Sequence, residues 1–429
     1  MTTLAITDGQ VLTPELAVER ADVLLDQERG EILEIGESLD GDRTLDATDS
    51  LVTPGFVNGH CHVAMTLLRG YADDKPLEAW LREDIWPAEG ELTADDVRAG
   101  TELGVLEMIK SGTTAFADMY FFVPTIADVV EEAGLRARLG HGVISVGKDS
   151  EAAREDAQEG IDVARELAAR DSDRISTAFM PHSLTTVDAA VLEEFVPKAR
   201  ELGVPVHFHA NETAGEVTPI VEEHGVRPLS YAAERGLLEP EDFLAHGVHV
   251  DESEIGLLAE SDASVIHCPA SNMKLASGMA PVERMREAGV TVGVGTDGAA
   301  SNNDLSMLDE GRDAAMLGKL AAEDASAVPA EAVVEMLTRD SAAAIGLESG
   351  RLEAGSPADL AVIDLAKPHL TPAHDPVSHL AYAAAAADVR HTVCAGQVLM
   401  RDREVLTLDE EAVRKRAAEQ ATSLVARAD

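Results

Sequence analysis

Cysteine, lysine, aromatic residues and long apolar runs are all scarce in this chain of 429 residues. The three cysteines, Cys61, Cys268 and Cys394, form no C-x-x-C pair, which argues against both a disulfide framework and a thiolate zinc site. The N-terminus lacks a basic segment followed by an apolar one, and the alanine-rich stretch 380–389 is too short to span a bilayer. We therefore expect a cytoplasmic protein with no membrane partner.

Basic residues are also few. The chain has 34 Lys+Arg, of which eight are lysines, against 79 Asp+Glu, and its net charge is −45. Such self-repulsion destabilises a compact state unless concentrated salt screens it, to a Debye length of about 3 Å at 1 M. The competing interpretation, an acidic tail or metal-storing surface, fits less well because the acids are spread along the whole chain. No basic stripe is available to bind nucleic acid. The composition thus predicts a halophilic protein.

Hydrophobic residues make up 45% of the chain, enough for a large core. Between residues 54 and 346, strand-like apolar runs alternate with helical patterns, which predicts parallel strands joined by crossover helices. Eight units of this kind predict a (β/α)8 TIM barrel in the α/β class. The eight predicted strands are Gly55–His62, Thr113–Tyr120, Ala137–Ser145, Ile175–Ser183, Pro205–Asn211, Phe243–Val250, Ser264–Ser271 and Thr291–Gly298.

The two flanks of the chain have a different pattern. Residues 1–53 and 347–429 contain short β-type segments separated by acidic turns, and neither flank could bury much apolar surface alone. Because domain termini commonly lie close together, we expect the flanks to join into one small β-sandwich beside the barrel. The last segment, 409–428, is predicted to be an amphipathic surface helix.

Histidines and acids gather where the predicted strands end. In a barrel of this kind the C-terminal strand ends face one pocket, so polar residues there are candidates for function. Seven of the 14 histidines lie at these ends. His60 and His62 lead the set, since residues i and i+2 of a strand face the same way and can share a cation. The candidates at the strand ends are His60, His62, Tyr120, His141, His182, His209, Glu212, His246, His267 and Asp297.

Three imidazoles and a carboxylate, without clustered thiolates, suit one divalent metal, Zn²⁺ or Fe²⁺. The best set is His60, His62, His209 and Asp297. A second metal would need a bridging group such as a carboxylated lysine from strand 4, and the segment 180–186 has no lysine. The metal can lower the pKa of a bound water toward ~7. Asp297 is then placed to accept that water's proton, and Glu212 to act as a general acid.

Nine segments of the chain resemble the amidohydrolase superfamily. Within it they are similar to the group that contains 5-methylthioadenosine/S-adenosylhomocysteine deaminases and 5'-deoxyadenosine deaminases, which is related to the triazine hydrolases. The resemblance covers nearly the whole chain. The segments are Pro54–His62, Met65–Gly70, Ser111–Thr114, Phe116–Tyr120, Pro181–Ser183, His209–Glu212, Ala245–His246, Cys268–Leu275 and Gly295–Asn303.

The resemblance implies a role for individual residues. It implies that the four metal candidates are the zinc ligands and that Glu89, in Trp86-Pro-Ala-Glu89, binds the ribose hydroxyls. It further implies that His182 contacts the purine, Glu212 protonates the ring nitrogen and His246 is the catalytic histidine. Members of this group are often homo-oligomers, but no stretch of this sequence identifies an interface.

One position departs from the family pattern. Members that bind the homocysteine carboxylate carry arginines just after strand 3, where this chain has His141, and Arg154 replaces the second arginine only with a one-residue shift. We therefore hypothesise that His141 and Arg154 are the substrate-facing residues here. With these residues, the protein would deaminate S-adenosylhomocysteine less efficiently than methylthioadenosine, 5'-deoxyadenosine or adenosine.

The predicted activity is hydrolytic deamination of an adenine nucleoside to its inosine analogue and ammonia. Glu212 would protonate N1 while Asp297 moves a proton from water to the departing amine. The alternative is a related amidohydrolase acting on guanine, a triazine or another heteroaromatic, because the same metal and acid would serve it. A more remote alternative is a barrel without catalytic function, although such barrels tend to lose the ligands that this chain retains.

Overall fold

The computed structural model describes residues 2–428, and within them no helix is both long and apolar enough to cross a membrane. The strands are β1 Thr3–Thr7, β2 Gln10–Leu12, β3 Val18–Arg20, β4 Asp22–Asp26, β5 Glu31–Gly36, β6 Arg43–Asp46, β7 Ser50–Pro54, β8 Phe56–His62, β9 Thr113–Tyr120, β10 Arg136–Val143, β11 Ile175–Thr177, β12 Met180–Pro181, β13 His207–Ala210, β14 Phe243–His246, β15 Ser264–His267, β16 Val292–Val294, β17 Asp297–Gly298, β18 Leu360–Asp364, β19 Val389–Cys394, β20 Gln397–Arg401 and β21 Glu404–Val405.

Helices fill most of the connections between the central strands. The α-helices are α1 Leu77–Trp80, α2 Trp86–Glu89, α3 Ala94–Ser111, α4 Val123–Ala133, α5 Ser150–Ala168, α6 Ala189–Leu202, α7 Ala214–His224, α8 Pro228–Ala233, α9 Glu252–Ser261, α10 Pro269–Lys274, α11 Val282–Glu287, α12 Met307–Ala322, α13 Ala330–Leu337, α14 Arg339–Ala344, α15 Pro376–Tyr382 and α16 Glu410–Ala428. Short 3₁₀ segments lie at Val63–Leu68, Pro368–Leu370 and Ala386–Asp388, and a π-helical segment at Leu81–Ile85.

Local sequence fixes where these helices begin and end. Before α3, the Asp96 N–H donates to the Thr93 side chain, and the Thr93 N–H donates to the Asp96 carboxylate over 2.8 Å, which closes a capping box. The helix ends at Ser111, and Gly112 caps it with a φ of 85°, in the left-handed region. The next strand, β9, follows at once and is buried along its whole length, as expected of a parallel strand that is covered on both faces.

The central strands form two parallel sheets. One has the order β11-β10-β9-β8-β17, with β12 also on β10, and the other has the order β13-β14-β15-β16. Two isolated bridges, Phe179–Val206 and Ser183–His209, lie between the two groups. On the other side β17 pairs with β8, which places Asp297 opposite Cys61. Gly295 allows this approach, because a Cβ there would lie 2.7 Å from the His60 backbone nitrogen.

Both ends of the chain contribute to two further sheets. The first, β5-β4-β1-β6, is built from N-terminal strands, and the second, β21-β20-β19-β18-β7-β2-β3, joins N- and C-terminal strands through antiparallel pairing of β18 with β7. One hydrophobic core draws on both, including Leu4 and Val23 from the first sheet and Val362 and Val393 from the second. The pairing of β18 with β7 brings strands from both flanks into one sheet.

Several predicted strands end earlier than expected. The predicted strand 243–250 ends at His246, and the predicted strand 264–271 ends at His267 because Pro269 begins α10. Two predicted strands are each divided in two, at 178–179 and at 295–296. The three cysteines are free and buried, as the absence of a paired spacing predicted.

Candidate metal centre and active-site cavity

A cavity of about 310 Å³ opens at the C-terminal ends of the central strands. This volume is at the lower end of the range for small-molecule sites. The predicted site residues that line it are His62, Glu89, Tyr120, His182, His209, Glu212, His246 and Asp297. His60 is fully buried next to this group, with its ring centroid 4.7 Å from that of His209.

Three imidazole nitrogens and one carboxylate oxygen converge beside the cavity. Asp297 Oδ1 lies 3.2 Å from His62 Nε2 and 3.5 Å from His60 Nε2. His209 Nε2 lies 3.3 Å from His62 Nε2. Two imidazole nitrogens this close in a buried site need a proton or a cation between them. The four side chains predicted as ligands are therefore brought together by three different strands.

The second nitrogen of each ring determines which one carries the proton. His62 Nδ1 lies 2.6 Å from the Met119 carbonyl oxygen, and His209 Nδ1 lies 2.6 Å from the His182 carbonyl oxygen. A carbonyl oxygen only accepts, so both Nδ1 atoms donate, and in the neutral rings both Nε2 atoms keep a free lone pair. The backbone thus prepares His62 and His209 as metal ligands.

His60 also carries its proton on Nδ1 and leaves Nε2 free, because of a hydrogen bond to a second histidine. His207 Nδ1 donates to the Phe243 carbonyl oxygen over 2.9 Å, which leaves His207 Nε2 as an acceptor. His60 Nδ1 donates to that nitrogen over 2.8 Å. The His60 Nε2 atom is buried and has no hydrogen-bond partner among the described residues. A bare buried lone pair at this place is what a cation would satisfy.

Two serines hold the carboxylate of Asp297. Ser271 Oγ and Ser301 Oγ donate to Asp297 Oδ2 over 2.7 and 2.6 Å, which leaves Oδ1 for the histidine cluster. Burial alone would raise the pKa of Asp297, but its contacts with His60 and His62 outweigh burial and hold that pKa well below its usual range. The backbone of Asp297 has a φ of 59°, and that of His246 a φ of 77°. Such left-handed residues cost about 1–3 kcal/mol each and cluster at functional sites.

His246 lies next to the cluster but is protonated differently. The Asn272 amide donates to His246 Nδ1 over 2.9 Å, so the neutral ring carries its proton on Nε2, 3.6 Å from Glu212 Oε2. A set with His246 in place of His62 also has ligand atoms within 4.8 Å of one another. A nitrogen that carries a proton has no lone pair for a metal, so the hydrogen bonds favour His62 as the ligand and His246 as a donor.

Glu212 is a buried acid near His246 Nε2, the ring nitrogen that does not contact Asn272. Its side chain accepts from Ser277 Oγ over 3.3 Å, and its backbone N–H donates to Glu216 over 2.9 Å. Burial raises the pKa of Glu212 to about 8, and the nearby charge of Asp297 adds to this shift. The carboxyl group is therefore protonated at neutral pH and can donate a proton into the cavity.

Glu89 and His182 form another part of the cavity wall. Desolvation raises the pKa of the half-buried Glu89 to about 7, and Tyr120 lies beside it. His182 Nδ1 lies 2.9 Å from Thr186 Oγ1, and burial lowers the pKa of His182 to about 3, so that the ring is neutral. Both side chains offer polar groups that suit a neutral, hydrogen-bonding substrate.

His141 and Arg154 lie elsewhere. His141 Nε2 contacts Asp156 on α5 over 3.2 Å, whereas its neighbour Gly142 lines the cavity. Arg154 is exposed and pairs with Glu194 over 2.7 Å. Neither lines the cavity, so the structure does not bring these two residues together with the other predicted site residues. Adjacent strand residues point to opposite faces, which explains the position of His141.

One of the strand-end candidates, His267, lies outside the site, and several supporting residues lie within it that the strand ends did not indicate. His267 is buried outside the cavity wall. The overlooked residues are His207, Ser271, Asn272, Ser277 and Ser301, which bond to the candidate ligands and acids. A signal for His207 was available, because His207-Phe208-His209 repeats the pattern of His60-Cys61-His62. Cys61, between His60 and His62, contacts Asp118.

Comparisons with known proteins agree over almost the whole chain. Residues 51–399 match the amidohydrolase family. The chain is 65% identical to the 5-methylthioadenosine/S-adenosylhomocysteine deaminase of Haloarcula marismortui over the full length of both proteins. It is 42% identical to the 5'-deoxyadenosine deaminase of Methanothermobacter thermautotrophicus, with 98% of each chain covered.

The chain is also similar to a solved structure over almost its whole length. An adenosine deaminase from Xanthomonas campestris with bound zinc superposes with a TM-score of 0.93 at 36% identity, covering 99% of this chain and 98% of that one. This likeness and the parallel strand order indicate a fold of the (β/α)8-barrel type. The chain belongs to the amidohydrolase family.

Proposed function

We propose that this protein is a metal-dependent hydrolytic deaminase that converts an adenine nucleoside to its inosine analogue and ammonia. One observation carries the proposal: the buried acid Glu212 lines the same cavity as His62, His209 and Asp297, whose ligand atoms converge with that of the buried His60 beside it. The relatives named for deamination of adenine nucleosides support it.

The metal ligands in this proposal are His60, His62, His209 and Asp297. Imidazole and carboxylate donors without thiolates suit Zn²⁺, with Fe²⁺ as the other choice, and the zinc in the Xanthomonas structure supports the former. When bound there, the metal supplies Lewis-acid activation of a water molecule.

The side chains around the metal then divide the proton transfers. Glu212 donates its proton to N1 of the adenine ring, which makes C6 electrophilic. Asp297 Oδ1 takes up a proton from the attacking water and passes it to the departing amino group. His246 presents its Nε2 proton to the oxygen that adds to C6. The remaining proton of the new hydroxyl returns to Glu212 as the bond from C6 to the amine breaks and the 6-oxo group forms. The products are the 6-oxo ring and ammonia, and both carboxyl groups end in their starting protonation states.

The remaining assignments concern binding and architecture. Glu89 is proposed to bind the ribose hydroxyls, and His182 the purine ring. Residues 54–346 form one barrel that closes through the β17–β8 pairing and the two isolated bridges. Residues 1–53 and 347–429 form the β-sandwich, supported by the core that the two terminal sheets share.

Ammonia release by the zinc-loaded protein in molar KCl tests the proposal. Methylthioadenosine, 5'-deoxyadenosine, adenosine and S-adenosylhomocysteine form one panel, with guanine and an aminotriazine as the other. We expect turnover of the nucleosides. Turnover confined to guanine or the triazine would refute the substrate class, and no turnover by a protein that holds stoichiometric zinc would refute the activity.

A further inference from the structure

The cavity wall carries a single permanently cationic side chain. Within the part of the chain that the structure describes, Arg82 is the only lysine or arginine that lines the cavity. It lies in the π-helical segment Leu81–Ile85, between α1 and α2, and π-helical turns occur frequently at functional sites. In a chain with more than twice as many acids as bases, an arginine facing a substrate cavity calls for a ligand of opposite charge.

Glu78 lies one helical turn before Arg82 and also lines the cavity. A glutamate and an arginine at positions i and i+4 usually pair with each other. Here neither side chain has a hydrogen-bond or ion-pair partner among residues 2–428, although the side chains of Glu83 and Asp84 beside them both pair with Lys75. One free anion and one free cation are therefore presented side by side to the cavity.

Their position along the cavity is the outer one. Glu78 and Arg82 are exposed, whereas Glu212 is 5% exposed and His60 is fully buried. A nucleoside whose adenine reaches Glu212 must direct its 5' substituent away from the buried cluster. The outer end of the cavity, at Glu78 and Arg82, which we call the rim, is therefore where charged groups on that substituent would contact the protein.

We propose that Glu78 and Arg82 form a subsite for a zwitterionic α-amino acid group on the 5' substituent of the substrate. The Arg82 guanidinium binds the carboxylate and the Glu78 carboxylate binds the ammonium group. The inference rests on the proposed function and adds a specificity to it: contrary to the hypothesis drawn from His141 and Arg154, S-adenosylhomocysteine is favoured, through α1 and the π-helical segment that follows it. His141 and Arg154 take no part, since both have carboxylate partners outside the cavity.

The test is the ratio of kcat/KM for S-adenosylhomocysteine to that for methylthioadenosine at one fixed salt concentration. Arg82→Gln should lower this ratio about tenfold and Glu78→Gln about threefold, the order expected for partly exposed charged contacts. Arg82→Lys keeps the charge without the planar fork and should fall between wild type and Arg82→Gln. Arg165→Gln, which removes an exposed arginine on α5 outside the cavity, should leave the ratio unchanged.

Two synthetic substrates separate the two charges. A 5'-thioadenosine bearing only a terminal carboxylate should respond to Arg82→Gln, and one bearing only a terminal amine to Glu78→Gln. Unchanged ratios in both variants, or a fall in Arg154→Gln instead, would overturn the subsite. Wild-type protein that deaminates no nucleoside would refute the proposed function itself, so the two failures are distinguishable.

Discussion

Replacing His207 by phenylalanine tests whether a residue outside the ligand set prepares the metal site. The ring of His207 stacks on Phe243 with centroids 4.1 Å apart, so His207→Phe retains the packing. It removes both ring nitrogens, and with them the bond from His60 Nδ1 and the bond to the Phe243 carbonyl oxygen. His60 would keep its own donor atoms but lose the contact that orients its ring.

The expected size of the effect follows from these two lost bonds. Loss of a hydrogen bond that orients a metal-ligating histidine typically weakens metal binding about 10- to 100-fold. This corresponds to about 1.4–2.8 kcal/mol of metal-binding free energy, because each factor of ten in affinity is about 1.4 kcal/mol. The buried donor and acceptor left without partners cost about 1–3 kcal/mol each in stability, so the melting temperature should fall as well.

Chelator competition for zinc measures the first effect and thermal unfolding the second. His391→Phe is the matched control, because His391 is equally buried and bonds to the backbone of Asp46 and Asp402, far from the cavity in β19. We expect both variants to lose stability and only His207→Phe to lose zinc affinity. Zinc dissociation constants within twofold of wild type in His207→Phe would refute the relay from His207 to His60.

Two further predictions concern the acid and the surface charge. Glu212→Gln should lower kcat about 10²- to 10⁴-fold with zinc content unchanged. The pKa of Glu212, raised to about 8, keeps this acid protonated below pH 8, so wild-type activity should fall about tenfold for each pH unit above 8. The Glu212→Gln variant should not show this fall. Activity that rises through pH 9 would contradict this role. The net charge of −45 predicts that transfer from molar to millimolar KCl lowers the melting temperature, and secondary structure lost in molar KCl and regained in dilute buffer would overturn the halophilic interpretation.

Continuous buried segments were the easiest part of the fold to predict. The strand predicted at Thr113–Tyr120 has the same bounds in the structure. It is an uninterrupted apolar run that starts directly after a turn-forming glycine. The tips of the strands were less predictable, because at 246 and 267 the apolar run continues after the chain has left the sheet.

The convergence of ligands was predictable for a topological reason. His60, His209 and Asp297 end parallel strands, and such ends meet at one edge whatever the details of packing. The face on which a strand-end side chain lies was not predictable, because a shift of one residue moves it to the other side. His141 shows this: Gly142 lines the cavity, while His141 packs toward α5.

Salt concentration should affect substrate recognition at the exposed rim of the cavity more than catalysis at its buried end. At molar salt the Debye length is about 3 Å, so the exposed charges of Arg82 and Glu78 attract only a ligand in direct contact, whereas buried groups such as Glu212 are screened much less. For a protein already folded at the lowest salt used, raising KCl should therefore reduce the preference for S-adenosylhomocysteine over methylthioadenosine without a matching change in kcat for the uncharged nucleoside. A preference that stays constant with salt would place the recognition of the amino acid group in the buried part of the cavity, and not at its rim.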